Sequence, residues 1–137
     1  MTRIVAIDPG TARIGVAVSD SSRIMAFPRP YIARDPHWVR ALVILIREED
    51  ADTVLIGVPV TLSGDATAAR EAAHGLRHEI LAEQPTLSVD FADERFTTAI
   101  AASSLRDAGV SARNQREFVD SAAAVVLLQG YLNAQAH

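Results

Sequence analysis

The 137-residue sequence contains no cysteine and no lysine. Without cysteine there can be no disulfide, thiolate metal site or cysteine nucleophile, which fits a reducing cytoplasm. All thirteen cationic side chains are arginine, and arginine gives planar, bidentate contacts to phosphate wherever it clusters. Apolar stretches fall short of a membrane span, and no basic stretch followed by an apolar one opens the chain. A soluble, unprocessed, cytoplasmic protein with no membrane partner is therefore expected. The formal charge of −4 lacks the broad cationic field of indiscriminate nucleic-acid binding but leaves room for a local basic strip. With 49% hydrophobic residues, the chain can bury a core of its own, as one domain spanning 1–137.

The first twenty residues organise the rest of the chain. An apolar run at 4–7 ends in Asp8, and a second run at 14–18 follows Arg13. Short β-branched runs bounded by proline and glycine favour strands, and Pro9-Gly10 fits the centre of a type II turn. A third strand is expected at 24–27, ended by Pro28 and Pro30. Asp35-Pro36 reads as an N-cap and first-turn proline, with Trp38, Leu42, Leu45 and Ile46 at helical spacing and an end near Asp50. A short strand at 54–56 runs into a turn at Gly57-Val58-Pro59. A helix over 67–83 follows, then a strand at 87–91 with Asp93-Glu94-Arg95 at its far end. Thr97-Thr98 can cap a helix over 99–108, closed by Gly109. Asn114 and Glu117 match a capping box, predicting a last helix from about 115 to 132. The order β-β-β-α-β-α-β-α-α predicts an α/β fold: a five-stranded mixed sheet with helices on both faces.

Each polar feature has an ordinary reading beside the functional one. Asp8 alone reads as a turn residue. Gly10 and Gly15 have phosphate-loop spacing, but Val16-Ala17 stand where Lys-Ser/Thr is required. Glu94 alone reads as a solvated acid with a local ion pair to Arg95. His74 and His78 have the spacing of a zinc pair but lack Glu-x-x and a third ligand, so they read as a solvated face. Ser63-Gly64-Asp65 reads as a helix cap. Asp120 is different: with Ala124, Leu127, Leu128 and Tyr131 it falls on one apolar helix face. A buried carboxylate is costly unless paired or bound to metal. If acids from strand 1, strand 5 and the last helix meet, such oxygen ligands suit magnesium or manganese. A two-ion arrangement of that kind serves phosphodiester hydrolysis.

Four blocks carry a family resemblance. They are Ile7-Asp8-Pro9-Gly10-Thr11-Ala12-Arg13-Ile14-Gly15 continuing to Asp20; Gly57-Val58-Pro59 with Gly64; Asp93-Glu94-Arg95-Phe96-Thr97-Thr98; and Val119-Asp120-Ser121 with Leu128-Gln129-Gly130-Tyr131-Leu132. In this order the chain resembles the YqgF/RuvX family, departing only where Thr61-Leu62 replace a frequent Asn-Met. The resemblance implies an RNase H-like fold related to the resolvase RuvC, with Asp8, Glu94 and Asp120 as catalytic and metal-holding acids. It implies a Mg2+- or Mn2+-dependent endonuclease with two ions. The substrate it implies is the 5′ end of pre-16S ribosomal RNA, or alternatively branched DNA at Holliday junctions. Junction cutting would call for a homodimer presenting two sites. Arg13, Arg95, Arg113 and Arg116 are placed by charge and loop position to hold the nucleic-acid backbone. Two further readings are a nucleotide-binding module, because Asp8-x-Gly10-Thr11 resembles a phosphate-1 motif, and a non-catalytic RNA-binding module.

Overall fold

The computed structural model describes residues 2–59, 66–94 and 121–135. Its elements are β1 (Arg3–Pro9), β2 (Arg13–Ser19), β3 (Ala26–Ala33), α1 (Trp38–Glu48), β4 (Ala51–Pro59), α2 (Ala66–Glu83), β5 (Ser88–Glu94) and α3 (Ala122–Gln135). The strands form one mixed sheet in the order β3-β2-β1-β4-β5. The first two pairings are antiparallel, while β1, β4 and β5 run parallel. β1 lies at the centre because its residues 4–7 are buried on both faces, as an interior strand covered on both sides must be.

Strand alternation divides the core. Val5, Ile7, Ile14, Val16, Val18, Val54 and Ile56 pack with Trp38, Leu42 and Ile46 of α1 and with Leu76 and Ile80 of α2. Ile4, Ala6, Ala17, Ala26 and Leu55 pack with Ala124, Val125, Leu128 and Leu132 of α3. Helices therefore cover both faces, as the sequence predicts. Among the described residues, no helix is long and apolar enough to cross a membrane.

Several expected boundaries move. β3 does not stop at Pro28 and Pro30 but runs through both. It is an edge strand, where a residue without an N–H can be tolerated. Its register against β2 shifts between Ile14 and Val16, so the stretch containing Pro30 bulges. The first turn is displaced too, since Pro9 belongs to β1 and pairs with Ile14. The Gly10 N–H donates to the Arg13 carbonyl at 2.9 Å, and a Cβ on Gly10 would lie 2.6 Å from that oxygen. Glycine is required there for close approach rather than as the third residue of a type II turn. Asp35 acts just ahead of α1, its carboxylate accepting the His37 N–H at 2.8 Å, and the helix itself starts at Trp38. β4 continues through Gly57 and Val58 to Pro59 because β5 pairs with it that far, which also draws Asp93 and Glu94 into β5. The expected helix over 99–108, the start of the last helix near 115 and the Ser63-Gly64-Asp65 cap lie outside the described residues.

α3 presents the predicted face: Ala124, Leu127 and Leu128 are buried and Tyr131 packs against the same cluster. Three polar side chains position it. Gln129 accepts the Ala26 N–H at 3.0 Å and donates to the Ile24 carbonyl at 2.9 Å. The Tyr131 hydroxyl donates to Asp90 at 3.0 Å. Ser121, fully buried, accepts the Val16 N–H at 3.0 Å and donates to the Arg29 carbonyl at 2.6 Å. Those two backbone groups flank the β2–β3 register shift, so the hydroxyl satisfies polar groups that the bulge leaves out of the ladder.

Candidate active site

Asp8 is the penultimate residue of β1. Alternation along the strand puts it with Ile4 and Ala6 on the α3 side. Its cross-strand partner is Gly15. On the other flank, Gly57 follows Ile56, the β4 partner of Ile7. A glycine on each neighbouring strand leaves bare backbone beside the carboxylate, the arrangement expected where another backbone or a ligand comes close. Asp8 is half-buried, and burial pushes its carboxyl above the ordinary aspartate value. Among the described residues, no hydrogen bond or positive charge offsets that push. The group is desolvated, acceptor-only when ionised, and suited to a hard cation.

β1, β4 and β5 are parallel and end at one edge of the sheet. Glu94 is the last residue of β5, paired with Pro59, so its backbone stands at the same edge as Asp8 with one strand between. Asp93 takes the opposite face: it lines a groove with Arg70 and His74 of α2, away from the α3 side where Asp8 points. Asp120 lies outside the described residues, as do Arg95, Arg113 and Arg116. Its chain neighbour Ser121 is bonded to Val16, which pairs with Ile7, one row from the Asp8–Gly15 pair. Ser121, the first described residue of this segment, therefore stands at this row. Among the described residues no three His, Asp or Glu side chains form a metal cluster; Asp120 and the Glu94 side chain are not among them.

Arg13 opens β2 on the face that Gly15 shares with Asp8. Its guanidinium lies 5.0 Å from the centre of the Tyr31 ring, a cation–π contact that steers it along the sheet edge. Arg34 donates to the Gly10 carbonyl at 3.0 Å and holds the adjoining hairpin tip. Sequence reasoning missed Ser121 and Tyr31 as positioning residues. The signal for Ser121 was a lone hydroxyl at the start of an apolar helix, read together with two prolines in one strand. Tyr31 gave none, because its contact arises from β2–β3 pairing. His74, read as solvated, lies edge-on to Phe91 with ring centroids 4.9 Å apart.

The profile of the family described as "RuvX: Holliday junction resolvase" matches residues 2–134. A Nocardia farcinica protein provisionally described as a pre-16S rRNA nuclease is 40% identical over 139 residues, covering 96% of this chain and 77% of that protein. A Mycolicibacterium smegmatis protein with the same description is 42% identical over 136 residues, covering 96% and 80%. Among solved structures, Thermus thermophilus RuvC in complex with a Holliday junction substrate superposes with a TM-score of 0.63 at 13% identity, covering 99% of this chain and 96% of that one. Fowlpox virus resolvase with Holliday junction DNA gives 0.56 at 10% identity, covering 99% and 100%. These two likenesses concern the fold, which is that of RuvC-like RNase H resolvases. The profile spans nearly the whole sequence and the curated relatives agree with it: the chain belongs to the RuvX family.

Proposed function

We propose that this protein is a divalent-metal-dependent endonuclease that hydrolyses phosphodiester bonds in the 5′ maturation of pre-16S rRNA in the cytoplasm. The observation that carries the reading is Asp8: a desolvated carboxylate at the C-terminal edge of the central strand, flanked by Gly15 and Gly57. Asp8, Glu94 and Asp120 are the groups assigned to hold the metal, and oxygen donors of this kind favour Mg2+ or Mn2+, with two ions, over softer metals. Bound there, the ions supply charge stabilisation for the phosphoryl oxygens and a lowered pKa for the attacking water. Gly15 and Gly57 bring no side chain of their own beside Asp8, which supports approach of a sugar-phosphate backbone. Arg13, steered by Tyr31, is assigned to a neighbouring phosphate, with Arg95, Arg113 and Arg116 in the same role. Ser121, the chain neighbour of Asp120, is assigned to fix the start of α3. The names of the Nocardia and Mycolicibacterium relatives support the RNA substrate.

The description of the family as Holliday junction resolvases favours a second reading, cleavage of four-way DNA junctions, for which a homodimer would present two symmetry-related sites. One assay separates the two, with Mg2+ or Mn2+ supplied to a pre-16S 5′ fragment, a mobile four-way junction, and plain single and double strands. Cleavage of the RNA fragment that Asp120→Asn abolishes in a folded protein is the expected result. Symmetric nicking of the junction with the RNA untouched overturns it in favour of the resolvase.

A further inference from the structure

On the α2 side of the sheet, a groove of about 390 Å³ opens where β4 and β5 end. Val58 lies at its base, Arg70, Ala73 and His74 of α2 form one wall, and Phe91 and Asp93 of β5 form the other. Phe91 is 37% exposed. It meets the His74 ring edge-on, with the ring planes 69° apart, and both rings line the groove. Arg70 is exposed and makes no hydrogen bond or ion pair with another described residue. Arg70, His74 and Arg77 fall at i, i+4 and i+7 on one side of the helix, so the groove continues into a strip of guanidinium and imidazole groups. The strip lies in a protein whose net charge is −4.

An exposed aromatic ring next to an exposed guanidinium is the pairing that holds single-stranded nucleic acid, since a base stacks on the ring and its phosphate meets the cation. A paired base, stacked on both sides within a duplex, offers no free face to Phe91. We propose that this groove holds one unpaired nucleotide of the substrate strand, its base stacked on Phe91 with His74 at the ring's side and its phosphate at Arg70. The inference rests on the nuclease reading above and adds a single-strand requirement on the face of the sheet opposite Asp8.

The test uses the whole protein carrying Asp8→Asn, in chelator, so that binding is read without cleavage. Single-stranded RNA and DNA of one sequence, with 2-aminopurine placed at successive positions, are titrated, and the tighter strand is followed. One labelled position should be strongly quenched. Phe91→Leu should abolish that quenching and weaken binding about tenfold, as expected for loss of base stacking. Arg70→Ala should weaken binding several-fold and reduce the slope of log K against log salt by about 0.7, the value for one phosphate contact on a single strand. Blunt duplex binding should be unmoved. Unchanged affinity and salt slope in the folded Arg70→Ala protein, with no quenched position, overturn the inference; this exposed helix substitution serves even if Phe91→Leu fails to fold. Wild-type cleavage of the same strand decides the nuclease reading separately. Cleavage without groove binding sinks only the groove, whereas groove binding without cleavage sinks only the nuclease.

Discussion

The two faces of the sheet are built differently. The α1/α2 face is filled with valine, isoleucine, leucine and tryptophan, large side chains that each remove much apolar area from water. On the α3 face the sheet offers Ala6, Ala17 and Ala26 beside Ile4 and Leu55, packed against Val125, Leu128 and Leu132 of the helix; the alanines bury less but let the helix lie close. That helix is then oriented by Ser121, Gln129 and Tyr131 through hydrogen bonds to named backbone and carboxylate atoms. Hydrogen bonds add only about 0.5–1.5 kcal/mol each to stability, but they are directional. One face supplies stability and the other supplies placement, and Asp8 sits on the face that supplies placement.

The largest effect that should separate the faces is on rate. Asp8→Asn leaves the fold intact and should lower cleavage at least about 100-fold, the scale of losing one group that stabilises transition-state charge. Single-turnover assays with magnesium and manganese read this directly. Activity within tenfold of wild type would remove Asp8 from the site.

On the opposite face, Leu42 is fully buried against the sheet. Leu42→Ala should cost about 2–5 kcal/mol through lost burial and the cavity left behind, measured by denaturant unfolding. Cleavage by the folded fraction should be nearly unchanged. Ser121→Ala should show the reverse balance. It leaves the Val16 N–H and the Arg29 carbonyl buried without their partner, costing about 1–3 kcal/mol. Cleavage should nonetheless fall more than tenfold at a temperature where the protein stays folded. Equal losses of rate in the two variants would dissolve the distinction between the faces.

Much of this was legible in the sequence, and the remainder was hidden for physical reasons. The apolar runs before Asp8 and after Arg13, the helical spacing from Trp38 and the Ala124–Leu128 face report burial, which periodicity encodes. Strand ends were misplaced because they depend on partners: β4 and β5 extend one another to Pro59 and Glu94, and β3 keeps its prolines because it lies on an edge. For the candidate site, the four motif blocks single out Asp8, Glu94 and Asp120; parallel pairing brings the backbone ends of β1 and β5 to one edge, while Asp120 lies outside the described residues. The assignment of Asp93 to the far face came from register, which fixes side-chain direction only once a partner strand is known. The Ser121 bridge was invisible for the same reason, since its partners lie 105 and 92 residues away.

The smallest predicted difference concerns two carboxylates that should respond oppositely to pH. Glu49, with 14% side-chain exposure, accepts from Arg29 at 2.6 Å and from Arg3 at 2.7 Å. The Arg29 hydrogen bond, followed by the nearby positive charges, holds its carboxyl below the ordinary glutamate value against the opposing effect of burial. Its stabilisation is therefore present above the unfolded-state pKa and lost as pH falls through the lowered folded value. Glu49→Gln should cost about 1 kcal/mol at neutral pH, a cost that disappears in acid. Asp8 has the opposite sign, because burial raises its carboxyl. Its contribution is complete below the unfolded-state pKa and is lost as pH rises through the folded one. In chelator, Asp8→Asn should thus raise Tm at neutral pH and leave it unchanged in acid. Added magnesium should narrow or reverse that gap by stabilising the wild type alone, since a ligand that binds only the folded state adds RT ln(1 + [L]/Kd). A magnesium-independent gap would mean that Asp8 holds no ion, even if Asp8→Asn abolished cleavage.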